Sequence, residues 1–366
     1  MKIASYNFQN IFYRHIDLVQ CYRTKRLPDW KEEFESIQLK RCKNENELTR
    51  LRELAVLIGF HNDTGFENVH LENIEGEVFY SPLIDNQCGH RNSTKNWVGW
   101  AKSKSLSIPI KAITNKAKVI LDCSADILIV QEVENRLALS HFNKVYLKQA
   151  YSEVFFMEGN SLKNRGLGIL LRKGFRLKTI NSFANEKNAS GSSLFENDVQ
   201  LYTVDTPSNK EVFIVNVLLD GQSISEKTSE RFDKIYALVE MCVHTNENFV
   251  LAGTLGLPSF NKHVRVFVER FLLKQINAHK NFEVTLDTGS DSSYYRLGAY
   301  TKGVNIKQQD YLMVSSKLFE NTQNCGLNRK GIWPGKRPKW NTYQSMDCEL
   351  NMASEHPLLW SEFKRC

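Results

Sequence analysis

Ala125-Asp126-Ile127-Leu128-Ile129-Val130-Gln131-Glu132-Val133-Glu134-Asn135 is the stretch from which the fold can be read. Asp126 to Val130 is a short apolar run, too brief for an ordinary helix, and that is the pattern of a strand covered on both faces. It stops abruptly at an amide and a carboxylate, Gln131 and Glu132. Working outward, runs of the same kind recur at Lys2 to Tyr6, Gly168 to Leu171, Val199 to Val204, Val212 to Val217, Phe249 to Ala252 and Tyr311 to Val314. Between them, Asn46 to Phe60, Ile110 to Cys123 and Ser229 to Thr245 carry apolar residues at helical spacing and suit helices laid on a sheet face. Strands recurring along the whole chain with helices interleaved predict a layered α/β or α+β body rather than a bundle. The region from about His15 to Ser105 is the least regular and reads as a long insertion before the second core strand. No linker divides the chain, so the expectation is one domain over 1–366 with an irregular insertion at about 15–105.

Composition narrows the class. With 42% hydrophobic and 24% charged residues, the 366-residue chain has ample material for a core and lacks the signature of disorder. A net charge of +7 favours anionic partners, nucleic acid or a phosphorylated ligand, although Lys and Arg are interspersed with Asp and Glu as on any solvated basic surface. Eight cysteines are scattered without a C-x-x-C pair, so reduced thiols are expected rather than a disulfide framework or a zinc site. No apolar leader and no apolar run of about 18 residues is present, so the chain is expected to be cytoplasmic, with no membrane partner.

Two strand ends carry more specific information. Tyr6-Asn7-Phe8-Gln9-Asn10 closes the first strand with two asparagines, and Asp126-Ile127 leads to Gln131-Glu132. The pair resembles the endonuclease/exonuclease/phosphatase superfamily, which has the DNase I fold and opens with "YNxxN" and "D-I-x-x-x-Q-E". Further anchors resemble its bacterial nuclease-like branch: Asn96 to Trp100, Glu134-Asn135-Arg136, Gly159-Asn160, Gly168 to Arg172, Asp310 to Ser315, Arg329 to Trp333 and Ala353 to His356. They follow the family's order over nearly the whole chain. The resemblance implies a four-layer α/β sandwich, two packed mixed β-sheets flanked by helices, with the active site along one edge. It also implies a phosphodiesterase or nuclease that uses Mg²⁺ or Mn²⁺.

Such hydrolysis needs a cation, a group to handle the attacking water, and donors for the phosphoryl oxygens. Glu132 matches the family's metal glutamate and Asn7 its neighbouring asparagine, while the family's "S-D-H" is here Ser354-Glu355-His356, so Glu355 keeps a carboxylate on a longer arm. The family's "G-D-x-N" reads Gly253-Thr254-Leu255-Gly256, which replaces the water-handling pair by Thr254 and Gly256. A threonine hydroxyl is not a base at neutral pH. The family's phosphate histidine falls on Val217 or Leu218, both aliphatic, and the aspartate of "R-G-I-D-V" falls on Gly168. Asp310 and His356 match an Asp that buttresses an active-site His and the C-terminal His. Asn10, Asn216 and Asp198 are carried over as substrate-side candidates. The cation would then be weakly bound or absent.

Three readings follow from these residues. The first is a catalytically degenerate phosphoesterase homologue, a pseudoenzyme that keeps a cleft for metal, phosphate or nucleic acid. The second is an active Mg²⁺-dependent phosphodiesterase or nuclease whose missing groups come from Glu196, Asp198, Asp220 or Asp310. The third is a protein-interaction module in which an unknown protein partner recognises the 15–105 insertion, where Trp97 and Trp100 lie. The basic run Trp333 to Trp340 reads either as a stacking platform for single strands or, more simply, as a turn bounded by Pro and Gly.

Overall fold

The strand around Ile129 is apolar throughout because both of its faces are covered. In the computed structural model it is β2 (Ile127–Val133), buried along its whole length and paired in parallel with β1 (Lys2–Asn7). The structure describes residues 1–15, 27–38, 40, 42–58, 69–73, 78–79, 99–103, 105–161, 165–219, 226–245, 248–284, 309–334 and 340–364. These fall into two compact units, Met1–Phe12 with Ile108–Cys366, and Tyr13–Ser107.

In the first unit the remaining strands are β3 (Glu153–Met157), β4 (Gly166–Leu171), β5 (Arg176–Ser182), β6 (Val199–Asp205), β7 (Glu211–Leu218), β8 (Phe249–Thr254), β9 (Lys274–Gln275), β10 (Phe282–Val284), β11 (Asp310–Val314), β12 (Thr322–Asn328) and β13 (Leu358–Phe363). The described strands make two large sheets, ordered β10-β12-β13-β1-β2-β4-β3 and β5-β6-β7-β8-β11-β9. Both are mixed. β1 with β2, β7 with β8 and β10 with β12 run parallel, and the other pairs run antiparallel.

Alternate residues of each strand face opposite ways, and this builds the layers. Ile3, Ile127 and Ile129 from the first sheet pack with Ile214, Val250 and Leu312 from the second in a shared inner core. The opposite faces take helices. Ala4, Leu128 and Val130 pack under α1 (Ile110–Cys123) and α2 (Arg136–Val145), and Val215, Val217 and Leu251 pack under α3 (Glu226–Thr245) and α4 (Lys262–Glu269). The result is the expected four-layer α/β sandwich. Local chemistry sets the helix starts: Asn135 caps α2 by accepting from Ala138 N at 2.8 Å, and Asn261 caps α4 by accepting from His263 N at 2.9 Å.

Toward one end the inner layer becomes polar. Gln131 Nε2 donates to Ser5 Oγ and to Asn216 Oδ1 at 2.8 Å, while Asn216 Nδ2 donates back to Val130 O at 3.1 Å. Tyr202 donates to Gln200 Oε1, and Gln200 Nε2 donates to Asp198. Buried amides are costly unless satisfied, so this seam is as much a part of the fold as the isoleucines beneath it.

The seven expected strands and the helices at Ile110–Cys123 and Ser229–Thr245 are present to within a few residues. Strands β3, β5, β9, β10, β12 and β13 and helices α2 and α4 were not foreseen. β5 (Arg-Leu-Lys-Thr-Ile-Asn-Ser) is an edge strand with half of its side chains exposed, and so lacks the continuous apolar run. The second unit holds the expected helix, here Glu45–Ile58, and another at Leu27–Gln38. Arg50 joins them, with Nε and Nη2 each 2.8 Å from a carboxylate oxygen of Glu33. A small antiparallel sheet contains Val69–Asn73, Val78–Phe79 and Gly99–Ser103, and Tyr13–His15 pairs with Ser105–Ser107. The chain leaves the sandwich at Phe12 and re-enters at Ile108, whose N–H donates to Phe12 O at 2.7 Å. No helix among the described residues is long and apolar enough to cross a membrane.

Candidate functional site

The site lies where the inner faces of both sheets run out. Alternation carries Asn7 of β1 inward, two residues after Ser5. β2 ends differently. Its register against β4 slips between Gln131 and Val133, making Glu132 the extra residue of a bulge, with φ at 53°. A bulge re-aims a side chain, and a non-glycine residue in the left-handed region carries strain that the surrounding bonds must hold. Here Asn10 N donates to Glu132 O at 2.8 Å and Phe8 N to Gln131 O at 2.9 Å. From α1, the buried Lys116 Nζ donates to Phe8 O and Asn10 O, clamping the same loop.

On the second sheet β8 bends at Gly253, whose φ is 126°. A Cβ there would lie 2.0 Å from Val217 O, so only glycine fits. The bend delivers Thr254 beside Asp310, the first residue of β11 and its ladder partner. One chain of contacts links both sheets. His356 Nδ1 lies 2.7 Å from Asp310 Oδ2; Thr254 Oγ1 donates to Asp310 Oδ1 at 2.7 Å; Asn7 Nδ2 donates to Thr254 Oγ1 at 3.0 Å and to Glu132 Oε1 at 3.1 Å. Ser354 holds the loop before β13 in place, donating to Asn7 O at 2.8 Å.

Burial works against the charged His356 ring, but the charge and hydrogen bond of Asp310 outweigh it, with Glu132 and Glu355 adding, and hold the imidazole up at about 9. At neutral pH it is a cation. A cation that the sequence reading did not single out completes the group: Arg165, immediately before β4, places Nη1 3.7 Å from Glu132 Oε1. Arg165 is the arginine of the segment matched to "R-G-I-D-V", which was read only for Gly168, and Lys116 lies in a helix whose lysines read as a solvated face.

The structure thus brings together Asn7, Glu132, Thr254, Asp310 and His356. Leu218 pairs with Thr254 at the ladder end and stands on the same face, above Asn216, which belongs to the polar seam. The other candidates lie elsewhere. Val217 points into the helix-covered layer under α3, so of the two aliphatic positions Leu218 is the one at the site. Gly168 also faces away: a Cβ would meet Leu139 of α2 and Phe155 O at 2.9 Å, so the position expected to have lost an acidic group is a packing position. Gly256, with φ at 66°, sits in the turn after β8. The Asn10 side chain is buried, and the residue's backbone carbonyl accepts from Lys116 Nζ. Glu355 is exposed, with its backbone N–H on Gln9 Oε1 at 2.8 Å.

The substitute carboxylates are committed as well. Asp198 accepts from Ser182 Oγ, Phe183 N, Val199 N and Gln200 Nε2. Burial pushes its carboxyl above the usual range, with those four bonds pulling back. Glu196 is paired with Arg231 at 2.9 Å. Asp220 lies outside the described residues, as do Trp97, Lys336, Arg337 and Lys339. Trp340 is stacked under Arg329, whose Cζ lies 4.3 Å from the ring centroid, and donates to Ile332 O, so this ring packs against the protein.

A hard divalent cation needs oxygen atoms turned toward it. Asn7 turns its NH₂ to Glu132 and Thr254, while its oxygen accepts from Gln9 N at 3.0 Å. The reversed amide would set oxygen against carboxylate, so this orientation is the one the network dictates. Glu132 Oε1 is faced by that amide and by a guanidinium. Among the described residues no three Asp, Glu, His or Cys side chains converge on a metal position. The donor set does not fit Mg²⁺ or Mn²⁺.

No protein-family model matches the sequence, and no curated protein matches it closely enough to count as a relative. Solved structures are similar in fold. An endonuclease/exonuclease/phosphatase from Bacteroides vulgatus is 14% identical over 69% of this chain and 91% of its own, with a TM-score of 0.45. A family protein from Leptotrichia buccalis is 11% identical over 70% and 93%, with a TM-score of 0.46. The human Nocturnin catalytic domain with bound sulfate is 13% identical over 69% and 87%, with a TM-score of 0.45.

Proposed function

We propose that this chain is an endonuclease/exonuclease/phosphatase homologue whose site does not hydrolyse phosphoesters, and that it acts as a cytoplasmic binding protein for nucleic acid or another phosphorylated ligand. One observation carries the first part. Thr254 occupies the strand end where the resemblance calls for a carboxylate, and its hydroxyl proton is already given to Asp310. A hydroxyl is not basic at neutral pH, so it does not take a proton from water. The net charge of +7 supports an anionic ligand.

Magnitudes separate impaired from inactive. Loss of a positioned base costs roughly 10²–10⁴ in rate and loss of a phosphoryl donor roughly 10²–10³. With base, orienter and phosphate histidine all replaced, nothing beyond background turnover is expected, because such groups act as a unit. Purified protein incubated with Mg²⁺ or Mn²⁺ and plasmid, single-stranded DNA, RNA or a generic phosphodiester should release no more product than Glu132→Ala. Robust release that disappears in Glu132→Ala would refute the proposal.

A further inference from the structure

Two groups face Glu132 Oε1: the Asn7 amide, which donates a hydrogen bond at 3.1 Å, and the Arg165 guanidinium, which stands in ion-pair contact at 3.7 Å. The ion pair is withdrawn from water, its side chains only 8% and 11% exposed. In such a place opposite charges attract more strongly than at a surface, and a second cation approaching the same carboxylate is repelled by the first. Backbone geometry sets up the pairing. Glu132 is the bulge residue of β2, Gly166 faces Val133 across the slip, and Arg165 directly precedes Gly166. The carboxylate and the cation therefore arrive from neighbouring strands at the same point.

We propose that Arg165 is a built-in cation standing in place of a divalent metal, with Glu132 serving as its counter-ion, and that the site is closed to Mg²⁺ and Mn²⁺ while Arg165 is there. This rests on the reading that the site is not hydrolytic, and adds a cause: the chain itself fills the cation position. Arg165 is a positioning residue in this account, and the quantity that reports on it is metal uptake.

Free Mn²⁺ gives a strong paramagnetic resonance signal that fades on binding, so the full chain can be titrated directly. The wild type should leave the signal undiminished, and neither Mn²⁺ nor Mg²⁺ should shift its melting temperature. Arg165→Met, similar in length and uncharged, should bind Mn²⁺ about tenfold or more tightly than the wild type. Adding Glu132→Gln to that variant should abolish the gain. If Arg165→Met does not fold, Arg165→Gln, which keeps an amide donor for Glu132, takes its place. A folded variant that takes up no Mn²⁺ would overturn this inference and leave the proposed lack of hydrolysis standing. Glu132-dependent Mn²⁺ uptake by the wild type would overturn it without any variant, and if accompanied by phosphodiester release would overturn both.

Discussion

The two central parallel pairs of the sandwich reach the site with similar backbone devices and different chemistry. β1 and β2 end in Asn7 and Glu132, with the carboxylate re-aimed by a bulge at φ 53°. β7 and β8 end in Leu218 and Thr254, with the threonine re-aimed by Gly253 at φ 126°. The first pair presents a charge that must be answered, and Arg165 answers it. The second presents an aliphatic side chain and a hydroxyl, and the ionisable group on that side is Asp310 of the adjacent strand. Geometry that exposes a side chain at a strand end is therefore separable from the chemistry of the side chain exposed.

Breaking the backbone device of the second pair should have the largest effect. Gly253→Ala sets a Cβ 2.0 Å from Val217 O at a φ that L-residues avoid, and should cost more than about 4 kcal/mol, leaving little folded protein. Gly256→Ala, at the neighbouring turn, should cost only about 1 kcal/mol. Urea unfolding of both variants checks the contrast, and equal midpoints would show that the bend at Gly253 is not obligatory.

The charged contact between the sheets should show a pH signature of intermediate size. His356 is raised from an ordinary value of 6.5 to about 9, so the folded state holds its proton more tightly than the unfolded chain. Its contribution is complete below about pH 6.5 and is lost as pH rises through about 9, for a total of a few kcal/mol. Thermal melts of the wild type should fall across that window, and His356→Gln should flatten this part of the profile. A fall of the same size in the variant would assign it to other groups.

The smallest effect sharpens the hydroxyl's role. Thr254→Val removes both the donor to Asp310 and the acceptor for Asn7, and should cost roughly 1–3 kcal/mol, whereas Thr254→Ser should stay within about 0.5 kcal/mol. If valine is tolerated as well as serine, the chain of contacts from His356 to Glu132 does not depend on its middle member.

Much of the fold was legible because strands covered on both faces leave continuous apolar runs; β2, β4 and β8 could be read directly for that reason. β12, Thr-Gln-Asn-Cys-Gly-Leu-Asn, could not, because exposed Gln323 and Asn324 and the buried polar residues at its ends, Thr322 and Asn328, leave no continuous apolar run. At the site, Asn7, Glu132, Asp310 and His356 were legible through motifs at strand ends, and the structure brings all four together. Direction was not. Val217 and Gly168 looked like site positions until alternation along β7 and β4 turned them toward the helices. Arg165 stands in a matched motif and Lys116 on a helix, but their burial and partners were not legible, because only the fold supplies the carboxylate or carbonyls that permit burial.

The polar seam has a mechanical consequence. Isoleucine and valine hold the two sheets by close packing. Asn216 and Gln131 add hydrogen bonds that run from one sheet to the other and are directional, so just beneath the site the placement of one sheet on the other is specified by angle as well as by contact.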